Sequence, residues 1–347
     1  MKILYAIQGT GNGHICRATE VIPHLQKYGE VDILVSGIQA DLDLPFKVDF
    51  AFKGMSFVFG KRGGIDLINT YMKNHINRFV AEAKKVPVEN YDLILNDFEP
   101  LSAWAAYFKG KPCIGLSNQC AIKEEPEAKS INEDLIGKFI INHYAPTTSE
   151  YGFHYQPYAP HIFTPLIRSD VRNLKVSDLG HYTVYLPSYD DKRIIKKLSL
   201  IKNVEWQVFS KHSKKAYSLE NVHIRPIQNN QFLESIASSS GVLCAAGFGT
   251  TSEALFLGKK LLVIPQRQQY EQMCNALALK KMGVKIVKHL RKKHIPKIED
   301  WVLHGKAIKV NYPDQTELII ETIINNEFHA SDNYLNYLTN TQFDIAD

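Results

Sequence analysis

The sequence predicts an α/β protein built from two doubly wound parallel-sheet domains. Its 347 residues are more than one hydrophobic core usually encloses, which favours two domains. Both halves alternate short apolar runs with helical stretches, the order that builds a parallel sheet covered by helices. A proline-rich stretch between residues 155 and 165 separates the two halves. We therefore expect a first domain over residues 1–165 and a second over residues 166–325.

The N-terminal half contributes four predicted buried strands, at residues 2–7, 31–35, 93–96 and 113–116. The first strand leads into a turn containing Gly9, Gly11 and Gly13, followed by His14 and a helix that Pro23 should kink. These glycines also suggest a dinucleotide site. The pattern is incomplete, because His14 replaces the third glycine of G-x-G-x-x-G and the second strand ends without an acid for the ribose.

The C-terminal half begins with a predicted strand at residues 181–186, and its most informative stretch starts at residue 241. There an apolar run reads as a buried strand and breaks at a glycine turn that opens a helix. The residues of this turn and the first part of the helix are Gly247, Phe248, Gly249, Thr250, Thr251, Ser252 and Glu253. A helix N-terminus carries unpaired amides and partial positive charge, so glycines and hydroxyls placed there suit a diphosphate.

A second polar loop follows the next predicted strand, at residues 260–265. It is rich in side-chain amides and includes Glu271, Gln272 and Asn275. Amides both donate and accept hydrogen bonds, as sugar hydroxyls do, so the loop suits a hydroxyl-rich ligand. The alternative is an ordinary pair of strand-to-helix connections, with Glu253 favoured only by the helix dipole.

The two loops together resemble the donor signature of inverting GT-B glycosyltransferases, both the UDP-glycosyltransferases and the lipid-linked N-acetylglucosaminyltransferase of peptidoglycan synthesis. The resemblance implies the GT-B fold, two Rossmann-like domains facing a cleft, and a tail over residues 326–347 that crosses back to the first domain. It implies that Glu253 holds the ribose, the glycine turn the diphosphate, and Glu271 with Gln272 the donor sugar. The expected donor-binding residues are Ser188, Ile227, Gly247, Phe248, Gly249, Thr250, Thr251, Ser252, Glu253, Glu271, Gln272 and Asn275.

One departure from the signature concerns the residues before the glycine turn. Many plant and animal relatives carry His-Gly-Gly where this chain has Ala245-Ala246-Gly247, so an imidazole is missing from the expected diphosphate site. The turn and its hydroxyls must then do more of the binding.

In the resembling families a Gly-x-Gly-His turn lies across the cleft from the donor, and its histidine is the candidate base for the acceptor hydroxyl. His14 occupies that position here. Asp97 follows a predicted parallel strand and so reaches the same sheet edge, where it could orient the imidazole. Glu99 is a competing acid, and Asp97 could instead cap the next helix. His14 could likewise bind only a backbone group at the start of its helix.

The resemblance implies transfer of a hexose-type sugar from a nucleotide-sugar, which we expect to be a UDP-sugar, to an acceptor hydroxyl with inversion. The acceptor could be a glycan, a lipid-linked molecule or a small molecule, bound by residues of the N-terminal half. We expect these residues to be Gly11, Asn12, Gly13, Glu99, Asn118 and Gln119. A nucleotide-sugar 2-epimerase and a non-catalytic nucleotide-sugar-binding protein are the alternatives. The sugar, the acceptor and the oligomeric state stay open.

We expect no metal and no cofactor. Asp41-Leu42-Asp43 resembles a metal-binding D-x-D motif only superficially, and we interpret it as a solvated turn. Leaving-group charge would be stabilised instead by the helix start. The five cysteines form no C-x-x-C pair, so neither a zinc site nor a disulfide framework is indicated.

The net charge and the hydropathy of the chain limit the binding partners and the cellular location that we expect. A net charge of +5 is too weak and scattered for a nucleic-acid reader. The basic clusters leave open a weak peripheral contact with anionic lipid head groups. No stretch approaches the roughly 20 apolar residues of a membrane span, and the apolar run after Met1 is too short for a signal peptide. We therefore expect a cytoplasmic enzyme, which could also contact the inner face of the membrane.

Overall fold

The computed structural model describes residues 1–37, 44–54, 77–124, 134–267 and 269–329. These residues form two sheets of seven strands each, with helices packed between and around them. The α/β prediction is therefore confirmed. The predicted turn at Asp41-Leu42-Asp43 and residues 330–347 of the predicted tail lie outside the described residues.

The first sheet comes from the N-terminal half and is parallel throughout, in the order β3-β2-β1-β4-β5-β6-β7. Side chains of its first strand, such as Ile3 and Ile7, are fully buried, as expected where helices cover both faces of a parallel sheet. Its strands are β1 Lys2–Gln8, β2 Glu30–Ser36, β3 Phe50–Phe52, β4 Leu93–Asp97, β5 Ile114–Ser117, β6 Ser149–Phe153 and β7 Ile162–Phe163.

The second sheet has the order β10-β11-β9-β8-β12-β13-β14. All its pairings are parallel except that of β10 with β11, a short antiparallel edge. Its strands are β8 His181–Tyr185, β9 Glu205–Ser210, β10 Tyr217–Leu219, β11 Val222–Pro226, β12 Gly241–Cys244, β13 Lys260–Val263 and β14 Lys285–Ile286.

Several helices of the described ranges bury one apolar face; the helix at Asp191–Leu198, for example, buries Ile194, Ile195 and Leu198. The labelled helices are α1 Asn12–Leu25, α2 Pro100–Phe108, α3 Asn118–Glu124, α4 Leu135–His143, α5 Ser169–Arg172, α6 Asp191–Leu198, α7 Asn229–Ser238, α8 Phe248–Phe256, α9 Tyr270–Lys281, α10 Ile295–His304 and α11 Thr316–Ile324. Residues 77–83 are also helical, and short turns of other helix types cover Val88–Asn90, Lys292–His294 and Asn325–His329. None of the helices within these ranges is long and apolar enough to cross a membrane.

The last helix packs on the first domain. The expected domain bounds end the second domain at residue 325, but the resemblance also implies that this helix crosses back with the tail. Buried side chains of α11 such as Ile319 and Ile323 belong to the same apolar cluster as Ile15 and Leu25 of α1. Just beyond α11, Glu327 accepts hydrogen bonds from two side chains of β6, the hydroxyls of Ser149 and Tyr151. The chain therefore returns to the N-terminal sheet after completing the C-terminal one.

The cleft between the sheets is closed by direct contacts from both sides. The Tyr155 hydroxyl, just after β6, lies 2.7 Å from the Thr251 hydroxyl of α8, and the rings of Tyr155 and Phe248 are 4.9 Å apart. Ser169 of the linker donates to Glu20 of α1 at 2.6 Å. The end of β6 in the first domain thus contacts the start of α8 in the second domain.

Candidate active site between the two domains

The turn after β1 places the first candidate residue at the cleft. Gly11, just before α1, has a φ of 95°, a left-handed conformation that side chains other than glycine rarely adopt. It lets the chain leave β1 and enter α1 at once, so that His14 lies in the first helical turn. A side chain added at Gly11 or Gly13 would meet no atom within 4 Å, so this turn borders open space.

His14 and Asp97 are in direct contact, as the sequence analysis expected. The His14 Nδ1 lies 2.8 Å from the Asp97 Oδ1, and the Asp97 side chain is fully buried. The parallel pairing of Ile7 with Asp97 aligns the ends of β1 and β4 and so brings the two residues together across 83 positions of sequence. Nδ1 faces the carboxylate, and Arg17 Nη2 lies 3.2 Å from the same nitrogen, so Nε2 is the nitrogen left for another partner.

Arg17, which the sequence analysis missed, is a third member of this cluster. Its Nε and Nη2 donate to the two oxygens of Asp97 at 2.8 and 3.0 Å, a bidentate pair. Burial raises the pKa of the Asp97 carboxyl, but the guanidinium and the His14 hydrogen bond outweigh it and hold this pKa below its usual value. The signal for Arg17 in the sequence was its position three residues after His14, because residues three apart on a helix lie on the same face.

Glu99 is not the partner of His14. Its fully buried carboxylate caps α2, accepting from the Leu101 and Ser102 amides at 2.7 Å each and from the Ser36 hydroxyl. Burial raises the pKa of Glu99 despite these hydrogen bonds. The structure therefore separates the two acids after β4: Asp97 contacts the imidazole and Glu99 holds a helix. Acceptor binding by Glu99 stays a prediction. Both carboxylate oxygens of Glu99 already accept hydrogen bonds within the first domain.

The turn after β12 presents backbone to the cleft. Gly249 is exposed and Gly247 half-buried, and an added side chain at either would meet no atom within 4 Å. No side chain caps the start of α8, so its first amides point into this open space. The helix begins at Phe248, two residues earlier than the hydroxyl-rich start expected from the sequence.

The hydroxyls of this turn face inward instead. Thr251 is fully buried and donates to the Gly247 and Phe248 carbonyls at 2.8 and 3.0 Å. Ser252 is buried too, and its hydroxyl has no hydrogen-bond partner among the described residues. Only Thr250, which is half-buried, keeps a hydroxyl near the surface. Diphosphate binding by these residues stays a prediction that now concerns backbone amides more than side chains.

Glu253, the candidate ribose ligand, is paired with an arginine of the linker. Its Oε1 accepts from Arg168 Nε at 2.8 Å, and Arg168 also reaches the Asn229 amide oxygen at 3.3 Å. Burial lowers the pKa of Arg168, but the negative charge of Glu253 raises it by more, so this pKa lies above its usual value. The nearby Cys16 thiol of α1 has a pKa raised by burial to about 11. Arg168 was missed because its partner lies 85 positions away in the sequence.

The amide-rich loop is divided between two tasks. Gln272 accepts from the backbone amides of Ala246 and Gln266 at 3.2 and 2.9 Å, and Asn275 donates to the Ala246 carbonyl at 3.0 Å. These two side chains tie α9 to the end of β12. The side-chain atoms that make these bonds are thus already hydrogen-bonded to backbone. Sugar binding by Gln272 and Asn275 stays a prediction.

Glu271 reaches across the cleft instead. Its two carboxylate oxygens accept from Asn118 Nδ2 at 3.0 Å and from Gln119 Nε2 at 3.1 Å. Residues expected to bind the acceptor are therefore hydrogen-bonded to one expected to bind the donor sugar. Asn118 also lies 3.4 Å from the guanidinium of Arg17 through its Oδ1.

The remaining donor candidates lie at other strand ends of the second sheet. Ser188 is exposed in the turn after β8, and Ile227 is half-buried just after β11. An open cavity of about 330 Å³ lies beside the end of β11. Its lining includes Tyr217, Ser218, His223, Arg225, Pro226 and Gln231. No hydrogen bond between described residues joins Ser188 or Ile227 to the rest of the site. Within the same residues, no group of three His, Cys, Asp or Glu side chains is placed to hold a metal.

Comparisons with known proteins agree with this architecture. The family model for glycosyl transferase family 1 matches residues 1–303. S. aureus MnaA, solved with UDP, is 10% identical over 94% of this chain and 97% of that chain, with a TM-score of 0.60. Arabidopsis thaliana UGT89C1 complexed with UDP is 13% identical over 92% and 93%, with a TM-score of 0.54. A putative UDP-N-acetylglucosamine 2-epimerase from Listeria monocytogenes is 14% identical over 95% and 97%, with a TM-score of 0.52.

No curated protein sequence matched this chain. The structural neighbours show the fold, and at such low identities they show nothing finer. The family model is more informative, because its match begins in β1 and continues through α10, across both sheets and the cleft between them. This chain is therefore a GT-B protein that belongs to glycosyl transferase family 1.

Proposed function

We propose that this protein transfers a hexose-type sugar from a UDP-sugar to an acceptor hydroxyl, with inversion and without a metal ion. The observation that carries the proposal is the 2.8 Å contact between His14 and the buried Asp97. The turn that holds His14 and the start of α8 both border open space, and we assign them to the two sides of the cleft. One side of the cleft thus offers a base and the other offers backbone amides suited to a diphosphate.

The base step follows from the orientation of the imidazole. Asp97 holds Nδ1, so Nε2 of His14 accepts the proton of the acceptor hydroxyl. The acceptor oxygen forms a bond to the anomeric carbon from the side opposite the diphosphate, and the bond from that carbon to the diphosphate oxygen breaks. Attack from the opposite side inverts the anomeric configuration. The imidazolium is stabilised by Asp97 and later returns its proton to solvent.

The leaving-group step is assigned to the second domain. Negative charge grows on the diphosphate as the bond to the sugar breaks, and the unpaired amides at Phe248 and Gly249 stabilise it with the positive end of the helix dipole. We assign the ribose hydroxyls to Glu253 and the sugar hydroxyls to Glu271 and its neighbours in α9. The two neighbours solved with UDP support UDP as the nucleotide.

The test begins with calorimetric titration of UDP, GDP, dTDP and NAD, with and without magnesium. We expect UDP to bind in either condition, and Glu253→Gln to weaken it about tenfold because a charged hydrogen bond to the ribose is lost. A chain that binds no pyrimidine nucleotide would contradict the proposal. A panel of UDP-sugars and acceptors then follows, with product configuration read by NMR; retention at the anomeric carbon would rule out the inverting step.

An epimerase is the second candidate, favoured by the likeness to solved structures described as UDP-N-acetylglucosamine 2-epimerases. The same NMR assay separates the two. An epimerase would convert the UDP-sugar to its 2-epimer with no acceptor present, whereas a transferase consumes the donor at the rate at which the acceptor is glycosylated.

A further inference from the structure

Arg17 contacts both residues of the proposed base pair, His14 and Asp97. It stands one helical turn after His14 on α1, and its side chain is 9% exposed. Besides the fork on Asp97, its guanidinium stacks on the Phe153 ring at 5.2 Å. Such an arginine is fixed in position, because both its charge and its plane are matched by neighbours.

The charge of Arg17 decides which form of His14 the cluster favours. A buried carboxylate needs a compensating positive charge. With Arg17 absent, the protonated imidazole would be the nearest cation for Asp97, and an imidazolium cannot accept a proton from the acceptor. With Arg17 present, the carboxylate is already compensated by a permanent cation and does not depend on a protonated imidazole.

Other titratable groups around the cluster do not replace this cation. From β1, Tyr5 faces Asp97 and Arg17, and burial raises its pKa well above the usual value, so it stays neutral. From α9, Glu271 adds a second negative charge toward Arg17. Arg17 is thus the cation that neutralises acids from two elements.

The geometry of Arg17 also reaches the second domain. Its Nη1 and Nη2 lie 3.4 Å from the Asn118 Oδ1. That contact orients the Asn118 amide so that its Nδ2 points at Glu271, which it meets at 3.0 Å. A continuous polar chain therefore runs from His14 through Asp97, Arg17 and Asn118 to an acid of α9.

We propose that Arg17 is a positioning residue that keeps the His14 imidazole oriented and neutral and aligns it with Glu271 of the second domain. The inference rests on the proposed function in so far as His14 is the base. In this role Arg17 acts on transfer through its contacts with His14 and Asp97, and on the cleft through Asn118.

The variants are Arg17→Met, Arg17→Lys and, as a matched control, Arg193→Met. Arg193 also stacks on an aromatic ring, Tyr189, at 4.9 Å, but it lies on α6 and contacts none of the cluster. Three readouts are needed: the pH profile of transfer, UDP binding by calorimetry, and the titration and tautomer of the His14 imidazole by ¹⁵N-histidine NMR, assigned with His14→Gln.

We expect Arg17→Met to lower kcat by about 100-fold, the cost of a misplaced catalytic group, with UDP affinity unchanged. We expect the acid limb of the pH profile and the NMR midpoint to move up by about one pH unit, because Asp97 loses its other cation. Arg17→Lys keeps the charge without the fork, so the shift should be smaller while the loss of kcat persists. Arg193→Met should change none of these readouts.

The double variant Arg17→Met/Asp97→Asn guards against misfolding, because it removes both buried charges together. In it the upward shift should disappear, since no uncompensated carboxylate remains. An imidazole titration in Arg17→Met that matches the wild type would overturn the inference. If the wild-type chain transfers no sugar but its imidazole responds to Arg17→Met as expected, the positioning role stands and the proposed function fails.

Discussion

The turns after β1 and after β12 are built alike, each a buried parallel strand leading through glycines into a helix at the cleft, yet they offer opposite chemistry. The first presents polar side chains, with His14 and Arg17 in contact with each other and with Asp97 at the end of β4. The second presents backbone, with Gly249 exposed and the Thr251 hydroxyl turned inward. The difference teaches that one strand-turn-helix unit can hold a proton-transfer group or an anion, according to whether side chains or amides meet the cleft.

The role of the turn after β1 can be tested by removing the proposed base. His14→Ala should lower transfer by about 10²- to 10⁴-fold, because a general base is worth that much. UDP affinity should be spared, since the donor turn lies across the cleft. Steady-state rates and calorimetry measure the two effects, with exposed His304 of α10 as the control position for an alanine substitution. Unchanged turnover in His14→Ala would remove the base assignment.

Filling the second turn should break the other side of the comparison. Gly249→Leu adds a side chain where an added Cβ meets nothing, so the fold should tolerate it. The side chain would occupy the space of the diphosphate and cost its charged hydrogen bonds, about 1.5–3 kcal/mol, or 10- to 100-fold in UDP affinity. Calorimetry reads the affinity, and thermal unfolding checks the fold. Wild-type UDP affinity in a folded Gly249→Leu would place the diphosphate elsewhere.

The two acids after β4 allow a sharper test within the first turn. The pKa of Asp97 is lower in the folded protein than in the unfolded chain, where it is about 3.9. The Asp97 carboxylate therefore stabilises the fold at pH values above the unfolded pKa, and this stabilisation is lost as the pH falls through the folded pKa. The pKa of Glu99 is raised, so its contribution is present below the unfolded pKa, about 4.3, and is lost as the pH rises through the folded value.

Urea unfolding from about pH 3 to pH 7 measures these dependences. Asp97→Asn should be most destabilising near neutral pH, with the deficit shrinking in acid. Glu99→Gln should show the reverse trend, gaining relative to the wild type as the pH rises. Parallel pH dependence in the two variants would contradict the separate roles of these acids.

The smallest functional effect is expected at Thr251. Thr251→Val keeps the shape of the side chain but leaves the buried Tyr155 hydroxyl without the partner it now has at 2.7 Å. The free energy of unfolding should fall by about 1–3 kcal/mol, while UDP affinity stays the same. Denaturant titration and calorimetry test the two halves of this prediction. A clear loss of UDP affinity in Thr251→Val would mean that side chains, too, bind the anion in the second turn.

Much of the fold could be predicted because buried parallel strands leave continuous apolar runs, as at residues 2–7 and 242–246. The contact between His14 and Asp97 was also predictable, since carboxyl ends of neighbouring parallel strands share an edge. Arg168 was not, because an ion pair between residues 85 positions apart leaves no local pattern. For Arg17 only its place three residues after His14 was a signal, and its partner Asp97 lies 80 positions away.

The direction of a polar side chain was harder to predict than its chemistry. The amide-rich loop was recognised, but Gln272 and Asn275 turn back to the end of β12 while Glu271 crosses the cleft. Which face of α9 meets which neighbour depends on how α9 lies against the sheet. Likewise α11 has an apolar face, and nothing local to it shows that the face belongs on α1.

The return of α11 to the first domain means that the polypeptide passes between the domains twice. One crossing is the linker between β7 and β8, and the other is the segment between α10 and α11. Two covalent connections limit the separation of the domains more than a single linker would. The His14 side and the α8 side of the cleft therefore stay near each other even where the noncovalent contacts between the domains break.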